Sequence, residues 1–118
     1  MNRNFPERLL DFVAKGDHNV HALLLLLKRK LPYVFRFETD IVGKKKNKQP
    51  KYAKDSVGHA DQRAATVHLP KDAMSLCDIL KAMVGVLPKG AWQATVFPGR
   101  VIFYKEAVKY EHATLVMR

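Results

Sequence analysis

One cysteine, Cys77, is all the chain contains. A lone thiol excludes an internal disulfide framework and points to a reducing setting. Long hydrophobic runs are lacking too. The apolar stretch Val20 to Leu27 falls well short of the roughly 20 residues that cross a bilayer. An acid before it and "KRK" after it do not suit a leader peptide. No targeting segment is read, so the chain is expected to be soluble and cytoplasmic, with no membrane role. Acids are scarce, 11 against 21 lysines and arginines, and no set of carboxylates is spaced for metal chemistry.

What is present fits an ordinary globular domain. The 118 residues, 47% hydrophobic and 27% charged, can bury a normal core as one domain spanning 1–118. The excess charge is unevenly placed. Met1 to Leu27 balances to zero, and Asp55 to Arg118 carries eight bases against six acids. Lys28 to Lys54 holds ten bases against Glu38 and Asp40, a balance of +8 out of a total of +10. So concentrated a field attracts polyanions.

Periodicity predicts the elements. "NFPERLLDFVAKG" reads as a short helix capped by Asn4 and Glu7, with Phe5, Leu9, Phe12 and Val13 on one face and Gly16 as its stop. A second helix covers Asn19 to Lys30, capped by Asp17 or Asn19. Its five consecutive leucines make it apolar almost all round, suited to the interior or to a homodimer contact. "YVFRFETDIV" alternates as a half-buried strand, and "RAATVHL" resumes strand character. Between them residues 43–62 form a long basic loop, so the two strands are expected to make a long hairpin. "SLCDILKAMVGVLPKG" predicts an amphipathic helix with the stripe Leu76, Ile79, Leu80, Met83 and Leu87, and Ser75 with Asp78 as its cap pair. "AWQATVF-PG-RVIFYK" is a hairpin with a type II turn and a bulge beside it, and "ATLVMR" is a last strand. The expected fold class is α+β in the order ααββαββ(β). In it an N-terminal helical pair and one amphipathic helix pack on a mainly antiparallel sheet of four to five strands.

The stretch "GKKKNKQPKYAK" places six lysines in twelve residues with no acid. Lysine is a mobile point charge, without the fixed fork that reads guanine edges. Lys44, Lys45, Lys46, Lys48, Lys51 and Lys54 therefore suit backbone contact with DNA or RNA, with weak sequence preference. Lys28, Arg29, Lys30 and Arg36 extend the same charge, and Tyr52 can stack on an unpaired base. The bland reading is a hydrated loop that keeps the chain soluble. The runner-up is an inhibitor or adaptor that docks on an acidic protein surface.

Other constellations are thinner. The first two expected helices are spaced like a helix-turn-helix, but the second shows leucine where a recognition helix shows polar groups. His18 and His21 share a helical face, yet two ligands do not make a metal site. His59 to Asp61 sit in the loop with nothing to fix them, and His68 and His112 read as ordinary strand residues. Cys77 falls beside the apolar stripe with no histidine placed to activate it. Glu38 and Asp40 share a strand face but lack acidic company. Trp92, Phe97, Phe103 and Tyr104 read as core and hairpin pairs, with a base-stacking sheet face flanked by Arg100 and Lys105 as the alternative. No catalytic residue, metal or cofactor is assigned. A small ribonuclease using His59 or His68 is the third functional reading.

Overall fold

The computed structural model describes residues 5–38, 61–88, 92–105 and 114–115. A 3-10 turn (Phe5–Glu7) leads to β1 (Leu9–Leu10), β2 (Gly16–Asn19), α1 (Val20–Lys30) and β3 (Val34–Glu38). Residues 61–64 are helical. Then come β4 (Thr66–Leu69), β5 (Met74–Ser75), α2 (Leu76–Val86), β6 (Trp92–Phe97), β7 (Arg100–Lys105) and β8 (Thr114–Leu115). Helix and sheet are mixed as the α+β reading expects.

Both helices start where their caps dictate. Asn19 is extended at the α1 N-cap, and its Oδ1 accepts from the Ala22 N–H. Ser75 does the same for α2, its Oγ accepting from the Asp78 N–H. Each hydroxyl or amide oxygen satisfies a donor that the first helical turn leaves without a partner. In α2 the residues Leu76, Ile79, Leu80, Met83 and Val84 are buried, and Leu87 follows them into the core. That spacing is one face of a 3.6-residue helix.

The core lies between the helices and a four-stranded sheet ordered β3-β7-β6-β8. Phe35 and Phe37 on β3, Val101 and Phe103 on β7, and Trp92, Ala94 and Val96 on β6 supply the sheet side. The register makes Phe37 the partner of Phe103, and their rings stack at 4.5 Å. Trp92 meets Phe37 edge-on at 5.1 Å. Its indole Nε1–H donates to Asp61 Oδ2 at 2.8 Å, in a buried contact. Two smaller antiparallel sheets, β1 with β5 and β2 with β4, complete the strands among the described residues.

Several expectations are corrected. Among the described residues the opening segment is helical only as the 3-10 turn Phe5–Glu7, so they form no N-terminal pair of α-helices. The predicted stripe holds only in part: Val13 is buried and Phe12 packs against the core, but Leu9 is 69% exposed and its neighbour Leu10 is buried instead. An isolated helix of about a dozen residues is marginal in water, and here Leu9 and Leu10 pair instead with Ser75 and Met74. Gly16 does take a positive φ of 110°, but it begins β2 rather than ending a helix. Asn4, the expected cap, lies outside the described residues.

The expected hairpin of "YVFRFETDIV" with "RAATVHL" does not form. β4 pairs with β2 (Asp17 with His68, Asn19 with Thr66), and β3 pairs in parallel with β7. The large sheet thus holds one parallel pairing, β3 with β7, beside two antiparallel ones, β7 with β6 and β6 with β8, and is mainly antiparallel as expected. Alternation specifies that a strand has a buried face, not which strand it pairs with.

Two smaller corrections concern α1 and the β6–β7 turn. α1 is not buried all round: Val20, Leu23, Leu24 and Leu27 face the core, while Leu25 is 47% exposed. The turn at Pro98-Gly99 has Gly99 at φ 81°, the positive value a type II turn places there. No bulge accompanies it. The pairing from Phe97 with Arg100 through Trp92 with Lys105 is uninterrupted.

Candidate polyanion-binding surface

Lys28, Arg29 and Lys30 form the last turn of α1 and are all exposed. They meet the negative end of the helix dipole, which favours cations there. Leu31 ends the helix, its N–H donating to Leu27 O at 2.9 Å. Leu31 and Tyr33 are buried and anchor the connection to β3. Val34 is four positions after Lys30, so their Cα atoms lie within about 14 Å. Val34 N–H in turn donates to Gly99 O at 3.0 Å. The basic end of α1, the start of β3 and the β6–β7 turn thus lie near one another.

An open hollow of about 350 Å³ lies there, lined by Val34, Arg36, Pro98, Gly99 and Arg100. The parallel register sets Val34 opposite Arg100 and Arg36 opposite Ile102. Arg36 and Arg100 are therefore diagonal neighbours on one sheet face, about 7–8 Å apart at Cα. The Arg100 guanidinium carbon sits 4.4 Å from the centre of the Phe97 ring, a cation–π contact that restricts where the charge points. Val34 is 57% exposed, giving the hollow an apolar lip. Its described lining carries two positive charges and no negative one.

Of the expected binding residues, the structure places Lys28, Arg29, Lys30 and Arg36. Lys44, Lys45, Lys46, Lys48, Lys51, Tyr52 and Lys54 lie outside the described residues, as do His59 and His112. The expected loop 43–62 ends earlier than anticipated, because Asp61 and Gln62 are helical and buried. Asp61, expected to lack anything to fix it, is held by Trp92. Gln62 Oε1 lies 2.9 Å from His21 Nδ1. Arg100 was legible only as a flank of the hairpin aromatics. Its place beside Arg36, far away in sequence, needed the parallel pairing.

The remaining candidates resolve into packing. His18 belongs to β2 and His21 to α1, so they share no helical face. His18 Nε2 sits 2.6 Å from Ala14 O, and His68 Nδ1 sits 2.8 Å from Asp17 Oδ1 in an exposed cross-strand pair. Among the described residues no group of three or more His, Cys, Asp or Glu gathers as a metal site would require. Burial first, then the Glu7 carboxylate, push the Cys77 thiol above its ordinary range. A nucleophilic thiol needs the opposite shift.

The four aromatics do not form a base-stacking sheet face. Trp92 and Phe103 are in the core, and Phe97 and Tyr104 are buried on the other face of the sheet. Tyr104 Oη accepts from Thr95 Oγ1 at 3.0 Å there. No helix among the described residues is long and apolar enough to cross a membrane. Comparison with protein families, curated proteins and solved structures finds no match to this chain.

Proposed function

We propose that this chain is a small, non-enzymatic, cytoplasmic accessory protein that holds nucleic acid by its phosphate backbone with weak sequence preference. The observation that carries the reading is the +8 balance of Lys28 to Lys54 on a chain otherwise close to neutral. The exposed Lys28, Arg29, Lys30 and Arg36 supply its described part, and Arg100 adds to it from β7. Lys44, Lys45, Lys46, Lys48, Lys51 and Lys54 are the proposed backbone contacts, with Tyr52 as a stacking partner.

Binding of this kind releases counterions, so it weakens predictably with salt. Neutralising about five phosphates gives log K against log salt a slope of about −4 to −5. A gel-shift series over duplex DNA, single-stranded DNA and RNA at several salt concentrations measures it. Binding without that salt dependence, or no binding to any of the three, removes the proposal. Capture of a protein partner that depends on the loop lysines, with no nucleic-acid binding, would favour the adaptor reading. Cleavage of the RNA during the series would favour the ribonuclease.

A further inference from the structure

We infer that Arg100, lying on the Phe97 ring, is a stacking platform for an unpaired nucleobase at the hollow beside the β6–β7 turn. This inference rests on the nucleic-acid reading and deepens it, because it names single strands as the class bound. The Arg100 guanidinium carbon stands 4.4 Å from the centre of the Phe97 ring. Phe97 is buried and Arg100 is exposed. One side of the guanidinium is thus taken by a fixed ring, and the other is left to the hollow that Arg100 lines. A guanidinium is planar and weakly hydrated, so it stacks on a flat π-face as a lysine ammonium does not. The ring beneath it lowers the ordering cost of engaging a ligand.

The walls suit a base better than a second ion. Val34 is 57% exposed and Pro98 is exposed beside it, so a flat, uncharged ring meets an apolar edge. Gly99 adds no bulk, since a Cβ built there meets nothing within 4 Å. Arg36 forms part of the wall and already has a partner within the chain, so its charge is not needed. Lys28, Arg29 and Lys30 are exposed, and Lys30 lies within about 14 Å of Val34 at Cα. A strand with one base in the hollow therefore has neighbouring phosphates in reach of the end of α1. In a duplex each base is paired and stacked on its neighbours, and only an unpaired one is free to turn into the hollow.

The test compares two single strands of equal length and phosphate count, a deoxythymidine oligonucleotide and its abasic counterpart. Backbone attraction is common to both, so their affinity ratio reports stacking. Tyr52→Ala serves as the background, because it removes the other proposed stacker. In it the base-bearing strand is expected to bind about fivefold or more tightly at fixed salt. Adding Arg100→Lys, which keeps the charge and loses the plane, should bring the ratio close to one. Adding Val34→Ser instead, which trims the apolar edge, should lower it with no change of charge. Circular dichroism of each variant confirms that it is folded.

Equal binding of the two strands in the Tyr52→Ala background, or an unchanged ratio in either added variant, overturns the inference. The two readings fail separately. Equal binding that still weakens with salt leaves the backbone reading in place and removes this one. Replacing the six loop lysines with glutamine should weaken both strands alike and leave the ratio intact. If that variant binds as well as the parent chain, the lysine-backbone reading falls and the base preference still stands on its own measurement. Binding of neither strand at low salt removes both.

Discussion

Asn19 stands where β2 becomes α1, and its side chain makes three hydrogen bonds at that junction. Its Oδ1 caps the helix by accepting from Ala22 N–H at 3.2 Å. Its Nδ2 donates to Arg63 O at 3.1 Å and to Ala65 O at 3.3 Å, tying the helical residues 61–64 to the start of α1. Asn19→Ala removes all three and should cost about 2 kcal/mol in urea unfolding. Asn19→Asp keeps the cap and loses both donors, so its cost should be about half. At Cys77 the direction of the pKa shift sets a pH dependence. A raised folded-state pKa means the folded chain holds its proton where the unfolded chain releases it. Stability is then intact below the thiol's ordinary pKa and declines as pH rises above it. Urea midpoints from pH 7 to 10 should fall at the alkaline end for the parent chain and fall less for Cys77→Ala.

At the scale of elements, α1 shows how one leucine run serves two environments. Leu24 is buried and Leu25 is half exposed, one residue apart on a helix that turns about 100° per residue. Leu24→Ala should lose about 2–5 kcal/mol, whereas Leu25→Ala should stay within about 0.5 kcal/mol. Comparable losses at both positions would mean that both faces are packed. The β6–β7 turn offers a second contrast. Gly99 has open space around it, so Gly99→Ala meets no steric clash. It still carries φ 81°, and an alanine held there should cost about 1–2 kcal/mol, read as a lower melting temperature with the fold intact.

For the whole molecule the governing quantity is the uneven field. Replacing Lys44, Lys45, Lys46, Lys48, Lys51 and Lys54 with glutamine takes the net charge from +10 to +4. Like charges repel, and relieving that repulsion does not destabilise the compact state. The variant should melt at the same temperature as the parent or higher in low salt. Its nucleic-acid affinity should drop and its salt slope should flatten. A variant that unfolds would show that the lysines support the fold itself.

How much of this was legible depended on the range of the interaction. α2 was readable to its cap, because Ser75, Asp78 and the apolar stripe all lie within one helix. The β6–β7 hairpin was readable because Pro98-Gly99 is a local turn signal. The failures are non-local. Residues 5–13 carry a helix-like spacing, but Leu9 and Leu10 pair with Ser75 and Met74, which no local window contains. β3 was recognised as a strand and given the wrong neighbour for the same reason. In the candidate surface, Lys28, Arg29, Lys30 and Arg36 were identified from charge alone, while Arg100 could not be joined to them without the sheet.

The amino-acid order by itself determined the amount and concentration of positive charge, the two helix starts and the tight hairpin, since each is set by neighbours along the chain. Only the tertiary structure decided that β3 lies parallel to β7, and hence that two distant guanidinium groups border one hollow. Backbone pairing is blind to side-chain identity over such a span, so the partner strand is chosen by how the whole core packs.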